Sequence, residues 1–367
     1  MSGIYIYDIC KLMEEWAPLK LAYPNDNVGL VLGSSNWKLN KVLICLTITD
    51  TIVEEAIRQK VNLIISHHPI IHTPLYKIIW ERPYQKRIVQ LIQNNIACYV
   101  CHTNLDVANK GLNYVLAQKL NLINTRGLLP VEHASIFKLV TFVPKTHLEI
   151  VREAVCSHGA GVIGEYAYCS FSTSGTGTFL PSDKANPFIG KVGSINEEAE
   201  ERFEVIVPTE HLNNVIEALL DAHPYEEVAY DIYPVHNQNS KISLGIVGDL
   251  ETPTTLEIFS TFVKNQLGLN SVRIVGNPNK EIKKVAVIGG SGGSEIQKLR
   301  ENIDVLVTGD VKYHQALEAL DKEIAIIDAG HFGTEYPIVQ AIKEYLNKRL
   351  PLLETIITNE TDPFLIK

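Results

Sequence analysis

Histidines and carboxylates recur in this chain at four places where an apolar run gives way to a polar turn. They are His67 and His68 in LIISHHPIIH, His102 with Asp106 in HTNLD, Asp310 with His314 in GDVKYH, and His331 with Glu335 in GHFGTE. Neutral imidazole and carboxylate together suit zinc, iron, manganese, cobalt or nickel. Inside a strand, adjacent side chains point to opposite faces, so His67 and His68 can share a site only where the strand ends. Pro69 marks that end, because it lacks a ladder donor and biases His68 away from the helical region. His72 reads as an ordinary surface or turn residue.

The elements that position these groups occur twice. Lys41–Pro69 reads as strand, amphipathic helix, strand, and so does Lys283–His314. Asn94–Leu120 and Lys322–Leu346 each read as a buried strand, a polar turn and a helix. In both turns a histidine is followed four residues later by a carboxylate. Alternating apolar strands and helices predict an α/β fold of two related lobes with largely parallel strands. Such sheets bind ligands beyond the carboxyl ends of their strands. Histidines and carboxylates at equivalent ends of two lobes favour a metal site over four unrelated turns.

Between the lobes the rhythm changes to βαββαβ, a ferredoxin-like order. FKLVTFVP reads as a strand, HLEIVREAVCSHG as a helix, YAYCSFSTSGTGTFLP as a hairpin, EERFEVIVP as a strand, EHLNNVIEALLDAH as a helix and EEVAYDIYPV as a strand. NTRGLLPVEHAS and HNQNSK, polar or broken by Gly and Pro, read as junctions. The expected division is residues 1–131 with 238–367 as a discontinuous core, and 132–237 as the insert.

With 367 residues, 46% hydrophobic and 20% charged, the chain has material for more than one core. A net charge of -9 and the absence of a basic block speak against nucleic acid. No apolar run reaches the ~18 residues of a membrane span, and the N-terminus lacks a signal-peptide pattern, so a cytoplasmic protein is expected. The six scattered cysteines read as free thiols. Cys98 and Cys101 form a C-x-x-C, but it lies in a strand-like run without a second pair, which favours core packing.

Three further stretches invite a role. The glycine turn Gly289–Gly293 in AVIGGSGGSEI suits either an anion on its backbone N–H groups or a tight packing turn. Asp26 and Asn27 either line the site or form a turn. His223 and the acids of HPYEEVAYD read as structural or interface residues.

Taken together, DNVGLVLG, SHHPII, HTNLD, GDVKYHQALEA and DAGHFGTE resemble the NIF-three-like family of dinuclear metal-centre proteins, often labelled GTP cyclohydrolase I type 2 homologues. The likeness spans essentially the whole chain. YCSFSTSGTGTF, ANPFIG and AHPYEEVAYDIYP resemble the PII- or CutA-like insert of its longer bacterial form. The resemblance implies two divalent ions, zinc first, held by His67, His68, Asp106, His331 and Glu335. His102 and His314 then become supporting or substrate-facing groups able to shuttle a proton. It further implies toroidal homohexamers. The chemistry of such a site, activation of water, points to a metal-dependent hydrolase of a small molecule, with a non-catalytic metal-binding scaffold or a regulatory or interaction protein as the alternative. One departure is Thr47 in CLTIT, where the family commonly has Asp.

Overall fold

The computed structural model describes residues 3–131, 135–238, 242–299 and 302–365. It divides into two compact units, Met1–Val131 with Ser240–Lys367, and Glu132–Asn239.

The first lobe of the larger unit runs α1 (Ile6–Trp16), β1 (Gly29–Leu32), β2 (Val42–Cys45), α2 (Asp50–Arg58), β3 (Leu63–Ser66), α3 (Pro83–Gln93), β4 (Ala97–Val100), α4 (Thr103–Val107), α5 (Leu112–Lys119) and β5 (Ile123–Pro130). Local chemistry sets several of these boundaries. The Thr49 hydroxyl accepts from Ile52 N to cap α2, and Pro83 opens α3, where its missing donor costs nothing. β2, β3 and β4 are four-residue strands buried at every position, the mark of a sheet covered on both faces.

The insert contributes β6 (Ser135–Pro144), α6 (Leu148–Ser157), β7 (Ser170–Phe179), β8 (Asn196–Pro208), α7 (Leu212–Ala222) and β9 (Tyr230–Gln238). Its antiparallel sheet, ordered β7-β8-β6-β9, is ferredoxin-like. One sheet face and both helices enclose a core around Leu139, Phe203, Val205, Val155 and Leu219. The stretch expected to be a hairpin is instead the single strand β7, which pairs along its length with β8.

The second lobe follows as β10 (Ser243–Thr255), α8 (Leu256–Gln266), β11 (Arg273–Val275), β12 (Glu281–Val287), β13 (Val305–Thr308), α9 (Tyr313–Asp321), β14 (Ala325–Asp328), α10 (His331–Glu335), α11 (Pro337–Arg349) and β15 (Thr355–Ile357). Between β12 and β13, Gly292–Lys298 forms a 3₁₀ turn where an amphipathic helix was expected. Four glycines in Gly289–Gly293 raise the entropic cost of a regular helix there.

The two lobes share one plan. One sheet is ordered β1-β4-β3-β2-β15 and the other β11-β14-β13-β12-β10-β5. In each, three central strands are parallel and the strand beside β4 or β14 is antiparallel. The last elements of each lobe cross over. Leu116 and Ala117 of α5 pack in the core of the second sheet, while α11 packs on β2 and β15. The segment NTRGLLP is therefore the edge strand β5 rather than a junction; Pro130 sits at its end, where no ladder donor is required.

Among the described residues no helix is long and apolar enough to cross a membrane. All six cysteines are free thiols, and Cys169 alone is not buried. Burial pushes Cys98 up to about 12 and Cys10 up to about 11, and raises Cys45 and Cys101 as well. Iodoacetamide on native protein at pH 8 is therefore expected to label Cys169 rapidly and the others only after denaturation, which peptide mass mapping will show.

Candidate metal centre

His67 and His68 follow directly on β3, and His102 is the N-cap of α4. His331 and Glu335 begin and end the single turn of α10, so their i, i+4 spacing places them on one side. Within this unit the four imidazoles and two carboxylates converge. Glu335 Oε2 lies 2.9 Å from His68 Nε2 and 3.0 Å from His331 Nε2, and its Oε1 lies 3.8 Å from His67 Nε2. His67 Nε2 faces Asp106 Oδ1 at 3.5 Å. Ring centroids of neighbouring histidines lie 5.2 to 5.8 Å apart.

Each imidazole is tied back through its other nitrogen. His67 Nδ1 donates to Cys101 O at 2.8 Å, His102 Nδ1 to Asp26 Oδ1 at 2.9 Å, and His331 Nδ1 to Asp310 Oδ2 at 2.7 Å. His68 Nδ1 lies 2.7 Å from the Thr47 hydroxyl. Carbonyl and carboxylate oxygens only accept, so three of the rings carry their proton on Nδ1 and turn Nε2 toward the cluster. This is the arrangement a metal-binding histidine requires. The departure at Thr47 keeps the contact, since a hydroxyl can also accept.

The donor set fits a cation. His67 Nε2 and Asp106 Oδ1 are buried atoms with no hydrogen-bond partner, although nearly all buried polar atoms have one. Two trios, His67 with His68 and His102, and His68 with His331 and Glu335, each bring their ligand atoms within 4.8 Å of one another. His102, which the family resemblance assigns a supporting role, thus lies among the groups able to hold an ion.

Electrostatics divides the two carboxyls. Burial alone would raise Glu335, but hydrogen bonds from His331 and His68, with the nearby His67 ring, hold it well below the usual range. Burial pushes Asp106 up to about 6 despite His67. Burial disfavours a charged His67, yet Asp106 and Glu335 outweigh it and bring the ring to about 9; Glu335 brings His331 to about 9 as well.

Other expected residues fall elsewhere. His314 is exposed on α9 with its ring against Tyr313, and among the described residues it makes no hydrogen bond or ion pair with the cluster. Its role as a proton shuttle has no contact to act through. Asp310, read with His314 as a potential ligand pair, instead orients His331. Asp26 neither lines the site as a free group nor simply closes a turn: it accepts from His102 and from Thr103 N and Oγ1, which hold it down at about 2 against burial. Asn27 donates to Ile71 O. The Gly289–Gly293 loop is a packing turn, because Gly289 N, Gly290 N and Gly292 N donate to Asn113, Thr334 and Thr308. His223 is buried and structural, bonded to Phe142 O.

Two positioning residues escape a reading of the sequence. Asn113 donates to Asp106 O and accepts from Gly289 N, linking the lobes. Glu360 accepts from Leu46 N and Thr47 N, and so fixes the turn that holds His68. Only the i, i+7 spacing of Asp106 and Asn113 hinted at the first, and nothing local pointed to the second.

A family model for Duf34/NIF3 (NGG1p interacting factor 3) matches residues 4–363. A Halalkalibacterium halodurans protein named GTP cyclohydrolase 1 type 2 homolog is 41% identical over 343 residues, covering 93% of this chain and 92% of its own. A Bacillus subtilis protein of the same name is 42% identical over 326 residues, covering 89% and 87%. Among solved structures, a Bacillus cereus protein related to NIF3 is 38% identical, with a TM-score of 0.87 and full coverage of both chains. The chain belongs to the Duf34/NIF3 family.

Protons and cations compete for these imidazoles. Rings raised to about 9 remain protonated below that pH, so apparent zinc affinity should climb between pH 6.5 and 9 and flatten above. Calorimetry in two buffers of different ionisation heat should register proton release at pH 7. Asp310→Asn should weaken metal binding by about 10- to 100-fold without unfolding the chain, as expected for the partner that orients a ligand.

Proposed function

We propose that this protein is a metal-dependent hydrolase of a small molecule, with two divalent ions, zinc in the first instance, held by His67, His68, Asp106, His331 and Glu335. The observation that carries this reading is the convergence of side chains from both lobes with every imidazole tied back through Nδ1. When bound, such an ion pair supplies Lewis acidity and a water acidic enough to deprotonate near neutral pH. The chain's own residues supply the rest. Glu335, one side chain reached by three imidazoles, would help hold the ions, since its two oxygens face different rings. His102 differs from the fully buried His67 in being partly exposed, at 28% of its side chain. Paired with Asp26, it can hold a proton at Nδ1 and exchange one with solvent or substrate at Nε2.

The name carried by the curated relatives suggests ring opening of a guanine nucleotide by water, a narrower version of the same chemistry. The toroidal homohexamer expected of the family, and a cytoplasmic location consistent with six free thiols, belong to the same proposal. Light scattering coupled to size exclusion tests the assembly.

Elemental analysis should find about two ions per chain. Glu335→Ala should lose most of this load; full retention would overturn the ligand assignment. A screen of nucleotides, phosphoesters and cyclic amides with zinc, manganese or iron restored should reveal turnover that Glu335→Ala lacks. Inactivity throughout would favour a non-catalytic scaffold. His102→Gln separates its two roles: a proton carrier loses turnover and keeps the metal, whereas a ligand loses both.

A further inference from the structure

The insert contains a cavity that the metal chemistry does not use. α6 and α7 cover one face of its sheet. On the other face, β-sheet register sets Gly175 of β7 beside Glu200 of β8, and Phe142 of β6 beside Arg202 of β8. Residues 180–189 and 225–229 border this floor and leave an open-sided cavity of about 790 Å³. That volume lies within the ~300 to 1,000 Å³ typical of small-molecule sites.

Its lining is specific in chemistry. Phe142, Phe179, Phe188 and Tyr225 supply aromatic surface, and the Phe188 and Tyr225 rings lie 6.3 Å apart. Glycines at 175 and 177 keep the floor clear of side chains. Three lining residues are acidic, Glu200, Glu226 and Glu227, and one is basic. That base, Arg202, is turned to Glu204 at 2.9 Å, a carboxylate that Lys138 also reaches at 3.3 Å, so the acids of the lining outnumber its single base three to one. Glu226 accepts from Asn186 N and pins the covering loop. Glu200 accepts from the Tyr225 hydroxyl at 2.8 Å, which sets a carboxylate beside an aromatic ring.

We propose that this cavity binds a small organic cation, an amine carried on a flat apolar body, with the ammonium group at Glu200 and the body among Phe142, Phe179, Phe188 and Tyr225. Aromatic faces attract cations, and a carboxylate adds direct charge complementarity. An anion would meet three carboxylates, and a neutral apolar molecule would leave Glu200 without a new partner.

The test is calorimetric titration of the full-length, metal-loaded protein with tyramine, tyrosol and 4-hydroxyphenylacetate, which share a phenol ring and differ in charge. Tyramine should bind at one site per chain, tyrosol about tenfold more weakly, and the acid not at all. Glu200→Gln should weaken tyramine about tenfold and leave tyrosol unchanged. Gly175→Val supplies an independent check: a Cβ there meets nothing within 4 Å, so the chain should fold with its metal content intact while the side chain occupies the cavity and removes tyramine binding. Absence of tyramine binding, equal or stronger binding of tyrosol or the acid, or undiminished binding by Gly175→Val would each overturn the proposal.

Discussion

An imidazole serves best as a ligand when its second nitrogen is fixed, and four imidazoles crowded together are each fixed separately here. Otherwise each ring could flip or change tautomer, and the cluster would lose its inward-facing lone pairs. The four Nδ1 partners here come from four distant places: the end of β4, the turn after β2, the loop before β1 and the turn after β13. Much of the surrounding architecture serves to hold those places. Glu360 grips the turn carrying Thr47 through two backbone N–H groups. Asp328, paired with Arg273, accepts from Val311 N and Gly330 N on either side of the Asp310–His331 pair. Asn113 ties the first lobe's Asp106 to the second lobe's glycine turn.

The lobes are alike in plan but unlike at the site, and packing explains the asymmetry. Strand register aligns Ser66 with Thr308, so the first lobe's His67 corresponds to Gly309 in the second. A Cβ at Gly309 would lie 2.5 Å from Gly330 C and 2.6 Å from His331 N. The backbone leading into α10 passes too close for any side chain, so the second lobe has no counterpart of His67. The same alignment sets His102 against Gly330, one residue before His331. One lobe thus uses the cap position and the other the first helical residue, while both keep the carboxylate one turn further on.

Much of this was legible because it depends on patterns local to the chain. Short apolar strands buried on both faces, capped helices and the insert's βαββαβ rhythm all leave period and composition signals. The four strand-end groups were readable for the same reason, because residues at the carboxyl ends of neighbouring parallel strands gather. What escaped was decided by long-range pairing. A one-residue offset between lobes cannot be seen without register. His314 looks equivalent to its neighbours in sequence, but its position on α9 points it to solvent. Asp310 and Asp26 carry the chemistry of ligands, and only their distances to His331 and His102 make them orienting groups. NTRGLLP resembled a linker because glycine and proline are tolerated on an edge strand.

Charge balance joins the site to the fold. Glu335 is nearly enclosed and stays ionised because three imidazoles surround it; Asp106 has one imidazole at 3.5 Å and is correspondingly easier to protonate. An uncompensated buried carboxylate would cost several kcal/mol, roughly the scale of a domain's net stability. Positive charge in the cluster, as protons on His67 and His331 or as a cation in their place, offsets that cost. The histidines are for this reason more than a set of ligands. Their protons offset the buried carboxylates, and each proton given up would leave room for a cation of the same charge sign.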